Sequence, residues 1–140
     1  VDPIEFLREH PPFSQLDDSG LAQLARRLEI RYLPQGEVLL QRGGEKSRHL
    51  WIVRKGSVRL EVEGRQIDLL VRGESFGYPS LLARTEPQVD VIAVEDTLCY
   101  LVPEETFRSL LERPEFGDFF LEGLSRRLRR ATSLEPIPVS

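Results

Sequence analysis

Residues 50 to 82 read LWIVRKGSVRLEVEGRQIDLLVRGESFGYPSLL, and this stretch decides the fold. Three apolar runs of strand length, Leu50 to Val53, Val58 to Val62 and Ile67 to Val71, are separated by Arg54-Lys55-Gly56-Ser57 and by Glu63-Gly64-Arg65. Both separators have the composition of hairpin turns, so neighbouring strands are expected to pair antiparallel. The sheet pattern breaks at Gly73 to Leu82, where Pro79 pre-sets the backbone for a single helical turn. Working outward, the period is two from about Ile30, and Val38 to Leu40, Val89 to Val94 and Leu98 to Val102 are further short strands. Several short strands with regular turn signals make a sandwich, jelly roll or small barrel, whose interior is the natural place for a ligand.

Helical signals flank the strands. Asp2-Pro3 is a cap followed by proline at the first helical position, with Ile4, Phe6 and Leu7 behind it and Pro11-Pro12 as the stop. Asp17-Asp18-Ser19 offers a second cap, and Leu21, Leu24, Ala25 and Leu28 form one apolar stripe. After the strands, Pro103-Glu104-Glu105 opens a helix carrying Phe107, Leu110 and Leu111. Pro114-Glu115 opens a last one with Phe116, Phe119, Phe120, Leu124 and Leu128 at helical spacing. The expected organisation is a helical segment at 1–30, a barrel at 31–102, C-terminal helices at 103–131 and a linker-like tail at 132–140 that contains Pro136 and Pro138. The fold class is therefore mainly β with flanking helices: a β-roll or jelly-roll barrel with N-terminal helices and two C-terminal helices.

At 140 residues the chain is one domain, and 40% hydrophobic with 30% charged residues fits a globular fold. A net charge of -4 argues against a chain that coats nucleic acid or an anionic membrane. The single Cys99 cannot close an intrachain disulfide, which makes a reducing, cytoplasmic setting the expectation. No apolar run approaches the roughly 18 residues of a membrane span, and the start Val1-Asp2-Pro3 lacks the basic residues of a secretion signal. The absence of methionine, even at position 1, points to a processed start or to a fragment of a longer chain.

Enzyme chemistry finds few residues to use. The two histidines, His10 and His49, are far apart, so the His-rich metal triad of a cupin-type barrel is missing, and no metal site or catalytic residue is expected. Cys99, between apolar neighbours on a strand, reads as a small core residue. The segment Gly73 to Leu82 matches neither a Walker loop nor a dinucleotide fingerprint. Its helical turn could hold an anion on the N–H groups of Ser80 and Leu81, or it could be a plain connection. Arg126, Arg127, Arg129 and Arg130 complement the dipole of the last helix, and no DNA-recognition motif follows them, so no direct nucleic-acid partner is expected.

The order of these elements resembles the cyclic-nucleotide-binding domain family. The resemblance runs through Phe13 to Leu16, Leu33 to Leu39, Gly43 to Glu45, Leu50 to Val58 and Gly73 to Leu82, and covers about residues 13 to 130. It implies a phosphate-binding cassette from Phe76 to about Val91, comprising Phe76, Gly77, Tyr78, Pro79, Ser80, Leu81, Arg84, Gln88, Val89 and Asp90. It also implies a final helix whose Phe116, Phe119, Phe120, Leu124 and Leu128 close over the pocket or pair with a second copy. The ligand so implied is a nucleotide, cyclic AMP or another adenine nucleotide, with no cofactor required. The variant Phe76 to Leu82, followed by Glu95 to Leu98, is similar to sensor domains of predicted bacterial signal-transduction proteins that also carry CBS and nucleotidyltransferase-like domains. Other domains of a longer parent chain are then expected as partners.

The cassette departs from the family at both of its anchors. Tyr78 stands where the family's ribose-binding glutamate falls, and Pro87 or Gln88 where its phosphate-binding arginine falls. A buried phosphate without a charge-assisted partner loses several kcal/mol of compensation, roughly. Asp90 would add repulsion if it faced inward, and Arg84 is either a substitute cation or a solvated loop residue. Two readings stay open: a regulatory domain that senses a nucleotide and relays occupancy through its last helix, and a ligand-free dimerisation or domain-docking module. The second predicts a pocket filled by its own side chains, with Tyr78 as the plug.

Overall fold

The computed structural model describes residues 2 to 133. Helix α1, Pro3–Glu9, starts at Asp2, whose side chain accepts the Ile4 N–H; α2, Asp18–Arg27, starts at Asp17, whose side chain accepts the Gly20 N–H. A single 3-10 turn at Phe13–Gln15 joins them. Each cap stands at or within one residue of the position its sequence signal marks, because a short acidic side chain satisfies N–H groups that the first turn leaves open.

Eight strands follow: β1 Glu29–Leu33, β2 Val38–Leu40, β3 His49–Lys55, β4 Val58–Val62, β5 Arg65–Leu70, β6 Ser75–Phe76, β7 Asp90–Ala93 and β8 Thr97–Pro103. They form two antiparallel four-stranded sheets, ordered β1-β8-β3-β6 and β2-β7-β4-β5. Helix α3, Tyr78–Ala83, interrupts the strands between β6 and β7; α4, Glu104–Leu110, and α5, Pro114–Ser133, close the chain. This is the β-roll the sequence predicts.

The two sheets differ in pattern because they differ in what covers them. Trp51 and Val53 of β3, with Cys99 and Leu101 of β8, face the second sheet and pack with Val58, Leu60, Phe76 and Val91. Leu50, Ile52, Tyr100 and Val102 of the same strands face the helices and pack with Phe6, Phe107, Phe116 and Phe120. Both faces of these strands are buried, so their sequence reads as unbroken apolar runs. Strand β4 has one wet face, and Arg59 and Glu61 alternate with Val58 and Leu60 accordingly.

Three expectations are corrected. The turn at Arg54-Lys55-Gly56-Ser57 does not close a hairpin: β3 pairs with β6 and β8, whereas β4 pairs with β5 and β7, so the chain crosses from one sheet to the other there. Glu63-Gly64 does close a hairpin, between β4 and β5. Strands β1 and β6 were not separated in the sequence, since β6 has two residues and β1 is a sheet edge whose Ile30 and Tyr32 are exposed. Helix α5 continues to Ser133, past the expected end of the C-terminal helices, and most of the expected tail, 134–140, lies outside the described residues.

Candidate functional site

Between the second sheet, α3 with the loop after it, and α5 lies a cavity of about 220 Å³. Leu40, Leu60, Ile67 and Val91 form its floor, Phe76, Gly77, Pro79 and Ser80 one wall, and Leu124, Arg127 and Leu128 of α5 the opposite wall. Thr85 to Val89 complete the rim. The lining is apolar in the main, because inward positions of four strands and the apolar side of a helix meet there.

The bend that begins the cassette depends on Gly77. Its φ is +83°, and a Cβ there would meet Trp51 Cδ1 at 2.9 Å and the His49 carbonyl oxygen at 3.0 Å. Only glycine lets the backbone turn from β6 into α3 so close to β3. Phe76 stacks on Trp51 with ring centroids 5.5 Å apart, and the Arg31 guanidinium lies 5.5 Å from the Trp51 ring. Ser80 then ties the turn down: its hydroxyl accepts the Ser47 N–H at 3.2 Å and donates to the Thr85 carbonyl. That hydroxyl is occupied by the protein itself, and the Leu81 N–H bonds the Gly77 carbonyl at 3.4 Å. The anion site expected on the N–H groups of Ser80 and Leu81 is therefore corrected at Leu81.

Of the cassette residues marked in the sequence, Phe76, Gly77, Pro79, Ser80, Gln88 and Val89 line the cavity. Tyr78, Leu81, Arg84 and Asp90 do not, each for a plain reason. Tyr78 turns to the helical layer, where its ring lies 5.0 Å from Phe120; it docks α5 and plugs nothing. Leu81 belongs to the same helical core. Arg84, at φ +58° after α3, lies on a separate groove with Arg27, Arg48 and Glu104 and does not line this cavity. Asp90 accepts the Arg42 N–H at 2.7 Å on the outer side of β7, so it adds no repulsion to the cavity.

The lid residues divide in the same way. Leu124 and Leu128 stand over the cavity, Leu128 remaining 56% exposed. Phe116 and Phe120 are fully buried in the helical core and Phe119 packs against its edge, so none of the three covers the pocket. These aromatics are what hold the base of α5 in place.

The residue the sequence reading placed wrongly is Arg127. It was assigned to the helix dipole, yet its guanidinium donates to the Ser75 carbonyl and lies 4.6 Å over the Tyr78 ring. Burial holds its pKa below the ordinary arginine value. Burial also raises the Tyr78 phenol above its ordinary value, with the Arg127 charge acting in the opposite sense. The signal was present: Phe116, Phe120, Gly123 and Arg127 follow the 4, 3, 4 spacing of an inward helix stripe, and an arginine at an inward position is out of place there.

Two antiparallel sheets rolled over an apolar cavity, with a short helical segment on one side and a long helix over the other, define a β-roll domain. The chain belongs to the cyclic nucleotide-binding domain family, whose model matches residues 30–114. Among its relatives, the cGMP-dependent protein kinase 2 of Homo sapiens is 30% identical over 132 residues, covering 89% of this chain and 17% of the kinase. The catabolite activator protein of Thermus thermophilus superposes with a TM-score of 0.70 at 32% identity, covering 86% of this chain and 59% of that one. The regulatory subunit of a cAMP-independent protein kinase A from Trypanosoma brucei superposes with a TM-score of 0.80 at 21% identity, covering 93% and 49%. The chain spans between 17 and 24% of the length of the curated relatives it matches. Among the described residues, no helix is long and apolar enough to cross a membrane.

Proposed function

We propose that this chain is a non-catalytic regulatory domain of a longer signalling protein, that it takes a nucleotide in the cavity under α5, and that occupancy is read out as the position of α5. One observation carries the reading: the same cavity has the family's cassette segment as one wall and Leu124, Arg127 and Leu128 of the last helix as the other. A ligand that touches both walls binds more tightly when α5 is seated, and it shifts α5 by that difference in affinity. The family membership and the titles of relatives, a cGMP-dependent kinase and a catabolite activator, support a nucleotide as the ligand class.

A second reading, a ligand-free docking module, is favoured by the cassette chemistry. Tyr78 replaces the expected carboxylate and packs into the core, and Pro87 or Gln88 replaces the expected cation. The cavity is also smaller than the roughly 300–1,000 Å³ usual for a drug-sized ligand.

A thermal-shift panel with cyclic AMP, cyclic GMP, cyclic dinucleotides, AMP, ADP and ATP separates the two. Selective binding to the folded state raises the melting temperature in a dose-dependent way. Hydrogen exchange over 116–129 under saturating ligand then tests the relay, and unchanged protection there refutes it. A flat panel at millimolar concentrations makes the docking module the correct reading.

A further inference from the structure

The cavity lining carries two charged side chains, one in its wall and one at its mouth. Arg127 is the first, and Glu86, which is exposed, is the second. No carboxylate oxygen of a described residue pairs with Arg127 within 4.0 Å. Its hydrogen-bond partner among the described residues is the Ser75 carbonyl, the Tyr78 ring face covers it on one side, and the Asp68 and Glu74 carboxylates share a small pocket with it and act on its charge from beyond pairing distance. A guanidinium has five N–H donors, and one carbonyl, a ring face and two carboxylates out of hydrogen-bond reach offset only part of its desolvation, which still outweighs them.

The cassette wall cannot supply this charge. The Ser80 hydroxyl is bonded to Ser47 and Thr85, the Gln88 amide donates to the Glu86 carbonyl at 3.3 Å, and Pro87 has no N–H. We infer that the cavity is built for a monoanion with a compact apolar body, and that Arg127, carried on α5, is the group that meets its charge. This deepens the proposed function and rests on its placing of the ligand in this cavity.

The class follows from the lining. One cation already facing Asp68 and Glu74, and one carboxylate at the mouth, favour no more than a single negative charge and disfavour a polyphosphate, whose extra charges would meet Glu86. The apolar floor of Leu40, Leu60, Ile67 and Val91 asks for a flat or hydrocarbon body. A nucleoside cyclic phosphodiester and a carboxylate with a short apolar tail share this chemistry. Because the anchor rides on α5, an anion bound to it holds that helix directly, and the coupling is reciprocal.

The test measures binding of cyclic AMP and of octanoate, each against its neutral counterpart, adenosine and 1-octanol. The proteins are the wild-type chain, Arg127→Gln and Arg127→Lys, with thermal unfolding of each variant to establish that it folds. The expected result is that wild type prefers one anion over its neutral counterpart by about tenfold or more, and that Arg127→Gln removes the preference without weakening the neutral compound. A latch that only holds α5 in place predicts instead that both compounds weaken together. Should Arg127→Gln fail to fold, Arg127→Lys carries the comparison: it keeps the charge but loses the planar fork, so the preference falls while neutral binding is unchanged.

Preference for cyclic AMP upholds both this inference and the nucleotide reading. Preference for octanoate alone upholds the inference and removes the nucleotide. An anion preference that survives in Arg127→Gln, equal loss of anion and neutral compound, or wild type without preference for either anion overturns the inference.

Discussion

Replacing Gly123 by alanine tests whether Tyr78 docks α5. In a solvent-exposed helix the change stabilises by about 1 kcal/mol, because alanine loses less backbone entropy than glycine. Here the new Cβ would lie 2.4 Å from Tyr78 Oη and 3.3 Å from its Cζ. Tyr78 is only 4% exposed, with Phe120 5.0 Å from its ring on one side and the Arg127 guanidinium 4.6 Å over it on another. The ring has no free direction, so α5 must lift or the ring must leave its rotamer, at about 1–3 kcal/mol for overpacking. The two effects oppose, and the sum is a destabilisation of about 0–2 kcal/mol where an exposed site would gain.

In a Tyr78→Phe background the oxygen is gone and the remaining approach to Cζ needs only a small shift. Gly123→Ala should then show its helix gain, up to about 1 kcal/mol. The double-mutant cycle should give a coupling of about 1–3 kcal/mol, read from urea unfolding midpoints at constant m. A coupling below about 0.5 kcal/mol, or a gain from Gly123→Ala in wild type equal to that in Tyr78→Phe, would refute the docking of Tyr78 on α5.

Gly77→Ala combines a left-handed φ of +83° with a Cβ 3.0 Å from the His49 carbonyl oxygen, and should cost about 2–4 kcal/mol; a urea midpoint within error of wild type would contradict the bend as described. His10 has a buried Nε2 without a partner among the described residues, and burial first, then the Arg72 charge, hold its pKa below 6.5 against a smaller opposing effect of Glu9. The unfolded chain therefore takes up this proton before the folded one, so stability is full above pH 6.5 and falls as pH drops through 6.5 towards the folded pKa. Wild type should lose more stability than His10→Gln between pH 7.5 and pH 5.5, and equal losses would count against this account. Cys99 is fully buried between the sheets and burial pushes its thiol up to about 12, so at pH 8 the native protein should react with a thiol reagent roughly 1,000-fold more slowly than the unfolded chain. Complete labelling of native protein within minutes would show that the strand is not packed as described.

The sequence by itself determined what rests on local physics. Asp2 and Asp17 announced the starts of the first two helices because capping is a matter of adjacent N–H groups. The runs Leu50 to Val53 and Leu98 to Val102 announced strands, and the break at Gly73 to Leu82 announced a helical turn between them. The family resemblance marked 76–91, and of the ten residues it singled out Phe76, Gly77, Pro79, Ser80, Gln88 and Val89 line the cavity. Tertiary structure decided what depends on which face meets which. Whether Arg54 to Ser57 closes a hairpin or crosses between sheets depends on the partners of β3 and β4, which lie far along the chain in β8 and β7, Leu50 opposite Val102 and Leu60 opposite Val91. The direction of Tyr78 is set by Phe120, the outward turn of Asp90 by the Arg42 N–H, and the inward turn of Arg127 by the Ser75 carbonyl. Each of these contacts joins segments distant in the chain, so local spacing could mark Arg127 as inward-facing but could not say what any of these side chains meets.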